Sequence, residues 1–139
     1  MSDDSSNVLL ERLAQVLEAR VPDLIAVYRF GSFGTAAMRA DSDIDLGLLA
    51  ERPLDPVHLF DVAGELATLA GRDVDLVDLI TCSTVMRAQV IATGERLLCR
   101  DAFRCESFAD TAFSRYAHLN EARRGILADI QARGTVHGG

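Results

Sequence analysis

Phe30-Gly31-Ser32-Phe33-Gly34-Thr35-Ala36-Ala37-Met38-Arg39-Ala40-Asp41-Ser42-Asp43-Ile44-Asp45-Leu46 is the stretch on which the reading of this chain turns. At one end a glycine and a small hydroxyl make a turn suited to gripping phosphate. At the other, two carboxylates alternate along what reads as a strand. If the four fixed positions were each filled at random at about one in fifteen, the spacing would arise in roughly one chain of this length in four hundred. Either half alone reads as an ordinary turn or a solvated strand end, but the two at this separation favour a site.

The carboxylates open the apolar run Ile44-Asp45-Leu46-Gly47-Leu48-Leu49, and the spacing predicts a strand over about Asp43 to Leu49. Period-2 alternation puts Asp43 and Asp45 on one face. Two like charges about 6 Å apart repel by roughly 3 kcal/mol at an effective dielectric near 20, and partial burial makes this worse. A divalent cation removes the conflict. Oxygen-only ligands suit a hard ion such as Mg²⁺, which keeps several waters and completes its shell from substrate phosphates. Upstream, Leu24 to Phe30 reads as a buried strand running into Gly31, with Thr35 to Met38 as a short helix behind it. Such a strand-turn-helix offers backbone amides and a helix dipole to an anion, Ser32 can donate a further hydrogen bond, and Gly31 permits close approach.

Proton removal from an attacking hydroxyl needs a third acid. The run Arg72-Asp73-Val74-Asp75-Leu76-Val77-Asp78-Leu79 predicts a strand over about Asp73 to Leu79, with Asp73 and Asp75 on one face. Placed beside the first acid strand, one of them reaches the pair, as metal ligand and general base. Alternation alone leaves Asp75 and Asp73 at even odds, and all of Asp73, Asp75 and Asp78 also read as acids solvating an edge strand.

With these residues in place, the chain resembles the minimal nucleotidyltransferases of the DNA polymerase β superfamily, whose hallmark is Gly-Ser-x10-Asp-x-Asp and a later acid in a Val-Asp-Leu-Val strand. Gly31, Ser32, Asp43, Asp45 and Asp75 fill those positions. Asp73 to Leu79 and Ser83-Thr84-Val85 are similar to the antitoxin half of HEPN/MNT toxin-antitoxin pairs. The resemblance spans about Val8 to Asp101, with a weaker echo over Leu119 to Ile130. It implies a catalytic and metal-binding trio of Asp43, Asp45 and Asp75, a phosphate grip at Gly31 and Ser32, and a hetero-oligomer with a HEPN ribonuclease toxin. The implied reaction is ATP- and Mg²⁺-dependent transfer of AMP to a tyrosine hydroxyl of that toxin. Two alternatives stay open: an antitoxin that inhibits by binding alone, and a transferase acting on a small molecule. The chain departs from the pattern at Thr35 and Ala36, where many relatives carry a polar or basic residue and then glycine. Arg39 reads equally as a compensating charge or a solvated arginine.

The 139 residues are expected to form one domain, with a core of about 7–101 and a helical segment over about 102–133. A chain of this size buries about two thirds of its extended surface. The net charge of −7, with arginine as the sole source of its 14 Lys+Arg, argues against direct nucleic-acid binding and suits a basic protein partner. Cys82, Cys99 and Cys105 lack metal or redox spacing and read as reduced packing residues, giving a cytoplasmic expectation. No apolar run is long enough to span a membrane. His58, His118 and His137 are scattered, and none reads as ligand or base.

The expected order is a helix over Asn7 to Arg20, capped by Ser6 and striped with Val8, Leu9, Leu13, Val16 and Leu17; the two strands above; and a helix over Val57 to Ala70, begun at Pro56 and closed by Gly71. The third strand follows. A helix from Ser83 or Thr84 to Thr93 stops at Gly94, and Glu95 to Arg100 forms a fourth strand. Phe103 to Ala132 then makes one long helix with a stripe of Ala112, Tyr116, Leu119, Ile126 and Ile130. Half of it covers the sheet, and the rest either docks a partner or folds back. The fold class is α/β (α+β), a small mixed four-stranded sheet with helices mainly on one side, and the resemblance implies the polymerase β-like nucleotidyltransferase fold.

Overall fold

A computed structural model describes the backbone of residues 2–133 and the side chains of residues 5–125. In chain order the elements are α1 (Ser2–Arg20), β1 (Leu24–Phe30), β2 (Ile44–Ala50), α2 (Pro56–Ala70), β3 (Val74–Asp78), α3 (Thr84–Thr93), β4 (Glu95–Cys99) and α4 (Ala102–Arg133). The sheet runs β3-β2-β1-β4, with β1 antiparallel to both its neighbours and β3 parallel to β2. A parallel pair needs a crossover, and α2 is that crossover.

The local chemistry of α2 explains its bounds. Asp55 accepts from Val57 N at 3.1 Å, Pro56 occupies the first turn, and Gly71, at φ +69°, ends it with its amide on Ala67 O at 2.9 Å. Ser83 caps α3 by accepting from Met86 N at 3.0 Å. Both helices stand as expected. The start of α1 does not: it begins at Ser2, so Ser6 is no cap. No glycine or proline stops the helix among the polar residues before Asn7. Ser6 lies one turn before Leu10 on the buried stripe, and its hydroxyl donates to Met38 Sδ at 3.8 Å. That stripe is Leu10, Leu13 and Leu17, whereas Val8 is exposed.

The helices divide between the two faces of the sheet, which corrects the expectation that they lie mainly on one side. On the first face, Leu10, Leu13 and Leu17 of α1 and Val62 and Leu66 of α2 bury Leu24, Val27, Ile44, Leu46 and Leu48. On the second, Val90 of α3 and Cys105 of α4 pack with Ile25, Tyr28, Leu49 and Leu79. The unbroken apolar runs of β1 and β2 belong to strands covered on both faces. Arg87, itself buried, fastens the β3–α3 connection by donating to Leu79 O at 2.7 Å, Ile80 O at 3.0 Å and Cys82 O at 2.9 Å.

Along α4, Cys105 and Ala112 are buried and Tyr116 and Leu119 half-buried, while residues 121–125 are exposed. Ile126 and Ile130, expected on the same stripe, lie outside the residues whose side chains are described. Cys105 fits the packing expectation, whereas Cys99 is exposed, with its Sγ 3.4 Å from that of Cys105. His58 is structural, its Nε2 bonded to Arg20 O at 2.8 Å. No helix among the described residues is long and apolar enough to cross a membrane.

Candidate active site

The parallel register sets Asp45 opposite Asp75. Odd positions of β2 and β3 point to the α3/α4 face, so both carboxylates rise from that face, at the strand ends next to the Gly31-Ser32 turn. Asp45 is half-buried, and Asp43 and Asp75 are exposed. Burial pushes the Asp45 carboxyl up from its ordinary value, and the negative charges of Asp75 and Asp43 push it further. Asp45 is thus the acid that feels both of its neighbours. Register sets Asp75 beside Asp45, while Asp73 precedes the strand and gives its backbone carbonyl to Ile44 N at 2.9 Å. Asp78 is separate. Buried, it accepts from Leu54 N at 2.8 Å and Ile80 N at 2.9 Å and so ties two loops together.

Gly31 closes on the acids. At φ +77° it occupies a region that side chains rarely tolerate, and a Cβ there would collide with Oδ2 of Asp45 and stand 3.2 Å from its carboxyl carbon. The two ends of the opening stretch do meet. Beneath the turn lies Arg29, a buried residue whose Nη1 donates to Gly31 O at 3.2 Å and Phe33 O at 3.3 Å. Its Nε has no hydrogen-bond partner and sits 3.5 Å from Glu95 Oε1, a distance of ion pairing only.

The short helix expected over Thr35 to Met38 is replaced by consecutive tight turns, Thr35 N to Ser32 O at 3.0 Å and Met38 N to Thr35 O at 3.1 Å. Side-chain hydroxyls compete with the helix here. Thr35 Oγ1 donates to Ser32 O at 2.6 Å and accepts from Ala37 N at 3.2 Å, so the departure at this position serves to close the loop. Ala36 is exposed. With no helix there is no helix dipole, and the amides of Thr35, Ala37 and Met38 are engaged within the loop.

Ser42 organises the other end. Buried, it accepts from Arg39 N at 2.8 Å through an Oγ that lies 3.1 Å from Ser32 Oγ, and its carbonyl accepts from Arg72 Nη1 at 2.9 Å. Arg39 enters this network through its backbone while its side chain is exposed. The sequence pointed to none of Ser42, Arg29 or Arg72 as contributors. Their partners lie across turns or, for Arg72, 30 residues away, and local pattern carries no such signal.

Among the described residues, no three or more His, Cys, Asp or Glu side chains stand close enough to hold a metal ion unaided. A groove of about 520 Å³ lies between α2 and the outer strand, lined by Leu59, Phe60, Ala67, Asp73, Asp75 and Leu76 among others. It includes Asp75 but no residue of the 31–42 loop.

A glycine-serine turn closed onto acids from two adjoining strands, in a mixed four-stranded sheet, is the arrangement of a nucleotide-transferring enzyme. The chain belongs to the polymerase β nucleotidyltransferase family, whose description, "Polymerase beta, Nucleotidyltransferase", matches residues 11–103. It is 36% identical over 121 residues to the protein adenylyltransferase MntA of Shewanella oneidensis strain MR-1, covering 87% of this chain and 86% of that protein. Among solved structures, it is similar to the MNT antitoxin in complex with the tri-AMPylated S. oneidensis HEPN toxin, with a TM-score of 0.76 at 33% identity over 91% of this chain and 98% of the other. A toxin-antitoxin structure with AMP-PNP gives a TM-score of 0.77 at 35% identity, covering 87% of this chain and 98% of its counterpart.

Proposed function

We propose that this chain transfers AMP from ATP to a tyrosine hydroxyl of a partner HEPN ribonuclease toxin in the cytoplasm, and thereby neutralises it. The observation that carries the reading is the register of Asp45 and Asp75 beside a Gly31 that tolerates no side chain. The relatives supply the acceptor class, since the MNT antitoxin of similar fold was solved with a tri-AMPylated HEPN toxin.

In this reading Ser32 grips the β- and γ-phosphates. One arrangement serves every group: Ser42 Oγ accepts from Arg39 N and donates its hydrogen bond to Ser32 Oγ, leaving the Ser32 hydroxyl free to donate to phosphate. Asp43 and Asp45 would hold Mg²⁺, and Asp75, next to Asp45 in the ladder, would stand beside it. The donor set fits such an ion, because oxygen-only carboxylates whose charges repel are what Mg²⁺ takes in ones or twos beside substrate phosphates. Bound there, the ion would supply charge neutralisation to the triphosphate and the departing pyrophosphate. Asp75, exposed at the outer strand, takes the proton from the acceptor hydroxyl. The hydroxyl oxygen attacks the α-phosphorus in line, and pyrophosphate leaves.

The test is to mix the chain with its HEPN partner, ATP and Mg²⁺ and read the partner's mass. A gain of AMP that disappears without ATP or Mg²⁺, and in Asp43→Asn or Asp45→Asn chains that remain folded, is expected. Transfer at the wild-type rate in either variant refutes the assignment, and inhibition of the toxin with no mass change identifies an antitoxin that acts by binding alone.

A further inference from the structure

We infer that Arg72 is a positioning residue that locks the Gly31-Ser32 turn to the acid segment and so sets the phosphate grip relative to the carboxylates. The inference rests on the proposed AMP transfer. Arg72 sits between Gly71, which ends α2, and β3, which carries Asp75. Its guanidinium makes two contacts at once. Nη1 donates to Ser42 O at 2.9 Å, and the guanidinium carbon lies 4.8 Å from the centroid of the Phe33 ring.

Those partners are the two ends of the site. Phe33 follows Ser32 and is buried to 2% exposure, so its ring is a fixed platform. Ser42 precedes Asp43 and touches Ser32 through the paired hydroxyls at 3.1 Å. A single planar cation thus spans the loop between phosphate turn and acids, from a point two residues before the strand of the third acid. Arginine suits the place because its flat guanidinium can stack on a ring and donate at its edge together, whereas lysine offers a point charge. Arg29 grips the same turn from below, but it is buried in the fold. Arg72 is half-buried at the periphery and is not itself a member of the core, although its guanidinium covers the ring of Phe33, which is.

Catalysis is sensitive to such alignment, since a misplacement of about 1 Å can cost on the order of 100-fold in rate. The experiment measures AMP transfer to the HEPN partner with Arg72→Met and Arg72→Lys, AMP-PNP affinity by calorimetry, and thermal unfolding of each variant. Arg72→Met is expected to lower kcat on the order of 10- to 100-fold and weaken AMP-PNP binding several-fold while its melting stays close to wild type; Arg72→Lys recovers part of both. In a Phe33→Leu background, Arg72→Met is expected to cost less, because one of the two contacts is already gone. A folded Arg72→Met chain with wild-type kcat and affinity overturns the inference, as does a loss of activity matched by the unfolded fraction. A wild-type chain that binds AMP-PNP but transfers no AMP fails the functional reading instead, and the affinity of Arg72→Met then still judges the clamp.

Discussion

Asp45 on β2 and Asp75 on the outer strand β3 occupy matching positions of a parallel ladder, so two acids 30 residues apart in sequence share one face of the sheet. Burial and the neighbouring charges hold the Asp45 carboxyl above its ordinary value. A carboxyl whose folded pKa is raised contributes stability below its unfolded pKa of about 3.9, and that contribution is lost as pH rises through the folded value. Ionised Asp45 therefore costs stability at neutral pH. Asp45→Asn is expected to raise the melting temperature by roughly 2–4 °C for each kcal/mol relieved. The difference should widen as pH climbs through the carboxylate range and narrow when Mg²⁺ stabilises the wild type. Melting curves across pH, with and without Mg²⁺, check this, and a less stable Asn variant would contradict it.

Gly31→Ala tests the closure of the turn. At φ +77°, with Oδ2 of Asp45 in the way, alanine must displace either the turn or the carboxylate. Backbone strain of this kind costs about 1–3 kcal/mol. The expected outcome is a lower midpoint in urea and nucleotide transfer reduced at least tenfold, whereas the same change at exposed Gly64, where a Cβ meets nothing within 4 Å, leaves transfer unaltered.

The acids of β3 separate by role. Asp78 serves the amides of Leu54 and Ile80, so Asp78→Ala leaves two half-buried donors without their partner and should cost about 1–3 kcal/mol. Transfer by the fraction that stays folded is unchanged. Asp75→Ala should do the reverse, with stability held and transfer lost. Chemical denaturation paired with a transfer assay distinguishes them.

Tyr28 provides an alkaline counterpart. Burial, reinforced by Cys105, pushes its phenol up from about 10 to about 12. The neutral form is favoured in the fold, so the stability it lends is intact below pH about 10 and is lost as pH rises toward about 12. Tyr28→Phe keeps the packing and removes this titration. Its melting temperature is expected to fall less steeply over that window than that of the wild type.

What the sequence made legible is what depends on near neighbours. Pro56 and Gly71 bound α2, and Ser83 bounds α3, because caps and breakers act within a turn of the chain. Gly31, Ser32, Asp43 and Asp45 were readable together because one short stretch carries all four. The start of α1 was not, since polar residues without a breaker look the same inside a helix or before it. The placement of helices on both faces was legible in principle, in the continuous apolar runs of β1 and β2. Loop 31–42 was out of reach because Thr35 and Ser42 redirect its backbone through side-chain hydrogen bonds. Which of Asp73 and Asp75 lies beside Asp45 needed a strand register that no single segment contains.

The crossover through α2 acts as a ruler. Because side chains alternate along a strand, inserting or deleting one residue in the connection at 71–73 would present Val74 or Leu76 opposite Asp45 and turn Asp75 over to the α2 face. The length of that connection is therefore under tighter restraint than its composition, and homologous chains that retain the activity should vary it by pairs of residues or not at all.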